Sequence, residues 1–137
     1  MYHKILVPLD GSGNANKALD IAAHLARANA GRLYLLHVPA MDEENSTFSS
    51  STNASREDAA MQLVQIALEA IDTSDIDTDI IVREGTPAEV IEREAHRLDA
   101  DAIVMGYQGF GKASARTGGS VSRAINQRAD CRVITVR

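Results

Sequence analysis

The residues best suited to chemistry form a glycine-rich stretch from Met105 to Ser122, which reads MGYQGFGKASARTGGSVS. It follows an apolar run, 102–105, and it precedes a segment with helical periodicity. Glycines allow a backbone to approach a ligand closely, and the first N–H groups of a helix lack intrahelical partners. The stretch carries Lys112 and Arg116 but no acidic residue. This combination predicts a site for a nucleotide's phosphates at a junction between strand and helix.

Two common phosphate motifs match this stretch only in part. The GxxxxGK start of a P-loop is present from Gly106, but Ala113 stands where a P-loop has the Ser or Thr that holds magnesium. The GxG start of a dinucleotide fingerprint is present from Gly109, but Ser114 replaces its third glycine. A longer pattern is complete, with two residues between its first glycines and nine before the final Gly-Ser, from Gly106 to Ser120.

Apolar runs rich in β-branched residues alternate along the chain with segments of helical periodicity. The runs predict five strands, at Tyr2–Leu9, Arg32–Val38, Thr78–Arg83, Ala100–Met105 and Cys131–Val136. The periodic segments predict four helices, at Ala15–Asn29, Glu57–Asp72, Pro87–Leu98 and Val121–Arg128. Gly31 marks the end of the first helix, and a capping box that begins at Thr86 starts the third. The polar segment 39–56, rich in Ser and Thr, is predicted to be a mobile loop.

This alternation predicts a single α/β domain, 1–137, in which helices cover both faces of a doubly wound, Rossmann-like parallel sheet. A strand order of 3-2-1-4-5 would place the reversal of winding between the first and fourth strands. Ligands of such folds bind there, outside the carboxyl ends of the strands. Pro8, Leu9 and Asp10 would then lie on one side of the crevice. Met105 and Gly106 would lie on the other, where the glycine-rich stretch begins.

Composition limits the classes of partner. The 137 residues, 45% of them hydrophobic and 24% charged, are typical of one soluble globular domain. A net charge of -5 argues against nucleic acid, and the apolar runs are too short to cross a bilayer. The early first strand leaves no room for a signal peptide, and Cys131 is the only cysteine, so a cytoplasmic location is predicted. The 4 histidines show no ligand spacing, so no metal is expected to be held by side chains alone.

The chain resembles the universal stress protein family, specifically its ATP-binding branch, over essentially its whole length. Besides the glycine spacing, the resemblance rests on ILVPLDGS, LHV, EGTPAEVI, DADAIVMG, GSVS and ADCRVITV, at 5–12, 36–38, 84–91, 99–106, 119–122 and 129–136. It implies that the chain binds ATP, with Mg²⁺ or Mn²⁺ held mainly by the phosphates. Arg132 replaces a proline that is common in the family, and Tyr107 and Gln108 stand where many relatives carry small or basic residues.

The resemblance also implies roles for individual residues. Val38 would meet the adenine, largely through its backbone. Pro8 and Asp10 would line the adenosine side, with Asp10 near the ribose or a phosphate-bound metal. Met105 and Gly106 would form the floor of the crevice. The residues that would hold the phosphates, through backbone N–H groups and hydroxyls, are Gly109, Gly119, Ser120, Val121 and Ser122.

Simpler interpretations stay open for several of these residues. The glycine-rich stretch could be a surface connection, and Asp10 could be a turn residue or a helix cap. His37 could be a hydrogen-bonded strand histidine, and Cys131 a small buried apolar residue.

Three functions follow from this reading. The first is an ATP-binding regulatory module of the stress response, the second is a slow ATP hydrolase or nucleotidyl-transfer enzyme, and the third is a nucleotide-independent dimeric scaffold. The missing P-loop hydroxyl and the absence of a carboxylate from the glycine-rich stretch favour binding over turnover. The resemblance implies an antiparallel homodimer through Val133–Val136, because the last strand would form a sheet edge.

Overall fold

The strands and helices alternate as the sequence predicts. A computed structural model describes residues 1–39, 53–107 and 120–137. The strands are β1 (Lys4–Pro8), β2 (Arg32–His37), β3 (Thr78–Val82), β4 (Ala102–Gly106) and β5 (Arg132–Val136). The helices are α1 (Gly13–Asn29), α2 (Asn53–Glu69), α3 (Pro87–Leu98) and α4 (Ser120–Arg128).

The strands form one parallel sheet with the order β3-β2-β1-β4-β5. In its register, Ile5 of the central strand β1 pairs with Leu33 of β2 on one side and with Ala102 of β4 on the other. The chain therefore winds in one direction from β1 to β3 and in the other from β4 to β5. The predicted doubly wound fold is confirmed, and its reversal falls between β1 and β4.

Helices cover both faces of this sheet and divide the core in two. Successive side chains of a strand point to opposite faces, so Ile5 and Val7 pack with α1 and α2 whereas Leu6 packs with α3 and α4. Small side chains let α1 lie close to the sheet; its buried alanines are Ala15, Ala18, Ala22, Ala23 and Ala26. Burial of each large aliphatic side chain stabilises the fold by about 1.5–3 kcal/mol.

Asp101 aligns β1 with β4, the two strands that flank the reversal. Its Oδ2 accepts hydrogen bonds from the backbone N–H groups of Lys4, at 2.9 Å, and His3, at 2.7 Å. These bonds, first of all the one from Lys4, lower the pKa of Asp101. Because the folded pKa is depressed, the stabilisation is present above the ordinary Asp pKa of about 3.9 and is lost as the pH falls through the folded value.

Most strand boundaries differ from the prediction by one or two residues. Tyr2 has a left-handed backbone, with φ 61, so β1 begins at Lys4 and not at Tyr2. Asp99, with φ 55, terminates α3, and the N–H of Ala100 bonds to Ala95 O, so β4 begins at Ala102. The predicted strands therefore included residues that have a left-handed backbone, as at Tyr2, or whose N–H group bonds elsewhere, as at Ala100.

The predicted loop 39–56 is wrong at its carboxyl end, because 53–56 already belong to α2. Asn53 is a residue type favoured at helix starts, and Ala54 has the highest helix propensity of any residue. Residues 40–52 lie outside the described residues, so the remainder of that prediction is not tested. At the start of α3, Thr86 is the cap residue as predicted, but its hydroxyl makes no capping bond.

Ala30, not Gly31, is the left-handed residue that terminates α1. Ala30 has φ 52 and ψ 40, and its N–H bonds to Ala26 O. The N–H of Gly31 also bonds to Ala26 O, at 2.8 Å. A side chain at Gly31 would overlap the carbonyl oxygen of Tyr2, which explains the glycine without a special φ.

We expect Ala30→Gly to raise the free energy of unfolding by about 1 kcal/mol, because only glycine adopts the left-handed region without a Cβ penalty. Urea denaturation at neutral pH measures the change. The matched control is Ala28→Gly, at an exposed position inside the same helix. That replacement should lower the free energy of unfolding by about 0.5–1 kcal/mol. Equal effects of the two substitutions would contradict the assignment of the helix end.

Candidate functional site

The segments that follow β1 and β4 lie side by side at the carboxyl edge of the sheet. The N–H of Leu9 bonds to Leu36 O at 2.8 Å, and the N–H of Tyr107 bonds to Val136 O at 2.8 Å. Each segment therefore continues one residue beyond its strand before it turns. Asp10 and the start of the glycine-rich stretch thus share the edge at which the winding reverses.

The turn after β1 is built by its own side chains. Oδ1 of Asp10 accepts a hydrogen bond from the N–H of Ser12 at 2.9 Å. Ser12 is the N-cap of α1, and its Oγ accepts a bond from Ala15 N at 3.1 Å. Gly11, with φ 87, makes the left-handed turn between them. Of the two simple interpretations of Asp10, the turn residue is confirmed, and Ser12 is the cap.

The second carboxylate oxygen of Asp10 is the chemically notable atom of this edge. Oδ2 is buried and has no hydrogen-bond partner, and it is the only such side-chain atom among the described residues. An unsatisfied buried polar group costs about 1–3 kcal/mol, and more when it is charged. The position therefore offers an acceptor to a ligand hydroxyl or to a cation.

Gly106, at the end of β4, is packed against the first turn of α1. A Cβ there would lie 3.0 Å from Ala15 N, from the backbone carbon of Asn14 and from the Asn14 Cβ. The sequence assigned this glycine to the floor of a ligand crevice. The structure supplies a further reason for it, because a side chain at residue 106 would crowd the first turn of α1. Gly106 thereby sets the distance between the β4 end and the turn that holds Asp10.

Three of the residues assigned to the site have buried side chains. Met105 is 0% exposed and Val38 is 4% exposed, and both belong to the core that includes α3 and α4. Pro8 is buried as well. In this structure such residues can meet a ligand only through main-chain atoms, which agrees with the backbone contact that the resemblance implies for Val38.

The start of α4 is attached to Tyr107. Ser122 is buried, and its Oγ donates to Tyr107 O at 3.0 Å. A hydroxyl has one hydrogen to donate, and in this structure Ser122 donates it to Tyr107. Val121 is half-buried against the core and belongs to the first turn of α4. Gly109, Gly119, Lys112, Arg116 and the Ser120 side chain lie outside the described residues.

Two other candidate side chains have structural explanations. His37 is buried, and its Nδ1 lies 2.7 Å from Leu9 O. A carbonyl only accepts, so Nδ1 is the donor, which confirms the interpretation of a hydrogen-bonded strand histidine. Cys131 is half-buried, less than expected, and it lies beside α3 at the opposite, amino edge of the sheet. Burial raises the pKa of its thiol.

Within 1–39, 53–107 and 120–137, no group of three His, Cys, Asp or Glu side chains is arranged to hold a metal ion. No helix in these ranges has the length and apolar character that a membrane crossing requires.

The sequence did not predict the partner of Tyr107. The guanidinium of Arg137 lies over the Tyr107 ring, 4.6 Å from its centroid. Gly106 pairs with Val136 in the β4–β5 ladder, so the two residues that follow them are neighbours on adjacent strands. That register could have predicted the contact, but only once the strand ends were known.

Comparisons with known proteins agree with this fold. The chain is 30% identical to the universal stress protein YxiE of Bacillus subtilis, in an alignment of 151 positions that covers both chains in full. It superposes on the universal stress protein UspA of Lactobacillus plantarum with a TM-score of 0.74 and 29% identity, covering 99% of this chain and 98% of that one.

A universal stress protein from Archaeoglobus fulgidus in complex with dAMP gives a TM-score of 0.73 and 26% identity, covering 99% of this chain and 98% of that one. The sequence model of the Usp family, described as the universal stress protein family, matches residues 1–137. The match extends over the whole chain, from β1 to β5. This chain belongs to the universal stress protein family.

Proposed function

We propose that this protein binds ATP at the carboxyl edge between β1 and β4, and that occupancy of the site regulates a stress response in the cytoplasm. The observation that carries the proposal is the buried, unpartnered Oδ2 of Asp10 at the reversal of winding. The dAMP complex of the Archaeoglobus relative supports an adenine nucleotide as the class of ligand.

In this proposal the nucleotide lies across the reversal. Main-chain atoms of Val38 meet the base, while Pro8 and Asp10 flank the ribose. The first turn of α4, which includes Val121 and Ser122, binds phosphate, because the helix dipole favours an anion there. Met105 and Gly106 lie beneath the phosphates. Gly109, Gly119 and Ser120 complete the set.

The Asp10 carboxylate also fits a phosphate-bound cation. Mg²⁺ and Mn²⁺ prefer hard oxygen ligands, and Mg²⁺ is commonly held by one or two carboxylates together with substrate phosphates. Oδ2 is such an oxygen, and Oδ1 is fixed by Ser12. When bound, the metal would neutralise phosphate charge.

We expect Asp10→Asn to weaken ATP binding about tenfold or more, because a charge-assisted contact is worth about 1.5–3 kcal/mol. The nucleotide-free variant should be no less stable than the parent protein, since the substitution removes a buried charge that lacks a partner. Calorimetric titration and urea denaturation measure the two quantities. Asp20→Asn, on an exposed face of α1, is the matched control and should change neither.

Two further titrations separate the possible partners of Oδ2. If Oδ2 accepts a hydrogen bond from the ribose, the parent protein should bind 2′-deoxy-ATP more weakly than ATP. The Asp10→Asn variant should then bind the two nucleotides equally well. If it binds the cation, the variant should instead become insensitive to Mg²⁺. Unchanged ATP affinity in Asp10→Asn would contradict the site. Lower stability of the nucleotide-free variant would show that Oδ2 has an internal partner.

We also propose that the protein forms a homodimer through Val133–Val136. β5 is an edge strand, and Val133 and Ile134 are only half-buried while Thr135 is exposed. An edge strand has unpaired N–H and C=O groups that can pair with a second copy, and β-branched residues suit such pairing.

A further inference from the structure

The stacked pair of Tyr107 and Arg137 lies at the carboxyl edge, beside the proposed phosphate site. Its ring centroid and guanidinium carbon are 4.6 Å apart, within the range of a cation–π interaction. A second pair of the same kind, Arg132 over Tyr2 at 5.9 Å, involves the opposite, amino end of the same strand β5. The two pairs thus provide one arginine at the site edge and a comparable one far from it.

Tyr107 joins Arg137 to the first turn of α4. Its N–H continues the β4–β5 ladder by bonding to Val136 O at 2.8 Å. Arg137, the residue after Val136, therefore lies beside Tyr107 on the neighbouring strand. The carbonyl of Tyr107 accepts a hydrogen bond from the hydroxyl of Ser122, the third residue of α4, at 3.0 Å. The guanidinium and the amino end of the helix are therefore attached to the same residue.

The charges around this arrangement favour an anion. The first turn of α4 contains no acidic residue, and it includes Arg123, which is exposed. Across the part of the chain that the structure describes, no Asp or Glu side chain forms an ion pair with Arg137. A cation beside the positive end of a helix dipole is unfavourable, whereas an anion placed between them interacts favourably with both.

The position of Arg137 relative to the sheet indicates which phosphate it would meet. The proposed ribose contact, Asp10, follows β1, whereas Arg137 follows β5, two strands away across β4. Neighbouring strands are about 4.8 Å apart, so the two positions are separated by about 10 Å. The single phosphate of AMP starts from the ribose and stops short of β5, while a longer phosphate chain extends toward it.

We propose that Arg137, held in place by Tyr107, is a specificity-determining residue that makes the site prefer a triphosphate over a monophosphate. The proposal rests on the nucleotide site described above, and it adds the residue that distinguishes a long phosphate chain from a short one. Arginine suits this task because its guanidinium stays charged and can bind phosphate oxygens in pairs while its plane stacks on an aromatic ring.

The test compares dissociation constants for ATP and AMP, by calorimetry in excess Mg²⁺, for the parent protein and four variants. We expect Arg137→Gln to reduce the preference for ATP over AMP about fivefold, equivalent to about 1 kcal/mol, with little change in AMP affinity. Tyr107→Leu should act in the same direction because it removes the stacking surface. Tyr107→Phe keeps the ring, and Arg132→Gln removes the remote stacked arginine, so both should retain the parent preference.

The salt dependence separates a charge effect from a packing effect. The difference between the parent protein and Arg137→Gln should shrink as the ionic strength rises from 0.05 to 0.5 M, because salt screens exposed charges within about 10 Å or less. Thermal unfolding of each variant shows that the fold is retained; Arg137 is exposed, so its replacement should not alter the melting temperature.

The outcomes for the two proposals are distinct. If the parent protein binds ATP but Arg137→Gln has the same preference, or loses ATP and AMP affinity equally, the role of Arg137 is wrong and the nucleotide site stands. If Tyr107→Phe loses the preference as Tyr107→Leu does, stacking is not the cause, and the proposed positioning is wrong. If the parent protein binds neither nucleotide, the proposed function itself fails.

Discussion

Replacement of both Arg83 and Arg97 by methionine should lower the free energy of unfolding by about 3–5 kcal/mol, the usual cost of an unpaired buried charge. Both arginines bind Glu94 of α3, whose side chain is only 3% exposed. Nε of Arg83 donates to Oε1 at 3.1 Å, and Nε of Arg97 donates to Oε2 at 2.7 Å. Methionine retains much of the apolar stem while it removes the charge.

The two losses should not be additive. Each single variant leaves Glu94 one guanidinium, and both guanidinium groups are about half exposed, so a single loss should cost about 1 kcal/mol. Only the double variant leaves the buried Glu94 carboxylate without a cationic partner. Glu94→Gln in that background should recover part of the stability, because a neutral group costs less to desolvate.

Urea denaturation of the parent protein, the two single variants and the double variant measures this coupling. Arg27→Met is the matched control, because Arg27 pairs with Asp75 at 2.8 Å but Asp75 is 54% exposed. That surface pair is open to solvent screening, so its loss should change the free energy of unfolding far less than the double variant does. Strictly additive losses in the Glu94 cluster would contradict the prediction.

The sequence predicted the order of the elements because their pattern is local. The apolar runs of β1 and β4, together with the alternating helices, were sufficient for a parallel sheet and its reversal. The ends of elements were less predictable, since they depend on contacts between distant residues. Ala30 takes the left-handed position while Gly31 passes close to Tyr2, and nothing in the helical pattern of α1 indicates either.

The same distinction applies to the candidate site. Motif and topology predicted that Asp10 and the glycine-rich stretch would meet at one edge, and the described parts of both do so. They did not predict which atoms are available to a ligand. That Oδ2 of Asp10 lacks a partner, or that Ser122 donates to Tyr107, follows from packing across three elements, to which a single sequence gives no access. The contact of Arg137 has the same origin.

Gly106→Val should lower the free energy of unfolding of the nucleotide-free protein by about 3 kcal/mol, a typical cost of overpacking. The new Cβ would lie 3.0 Å from backbone atoms of Asn14 and Ala15, and backbone cannot move aside as a flexible side chain can. To relieve the overlap, the first turn of α1 must shift away from β4. The turn that holds Asp10 would shift with it, so we also expect ATP affinity to fall about tenfold or more.

Gly13→Val is the matched control for this substitution. Gly13 also lies at the start of α1, but a Cβ there meets no atom within 4 Å. Valine has a somewhat higher helix propensity than glycine, so the control should change the free energy of unfolding by less than about 0.5 kcal/mol and leave affinity intact. The pair also separates the two roles of Gly106. Loss of binding with unchanged stability would mean that residue 106 contacts only the nucleotide. Loss of both binding and stability is expected if Gly106 allows α1 to pack close to β4 and thereby positions Asp10.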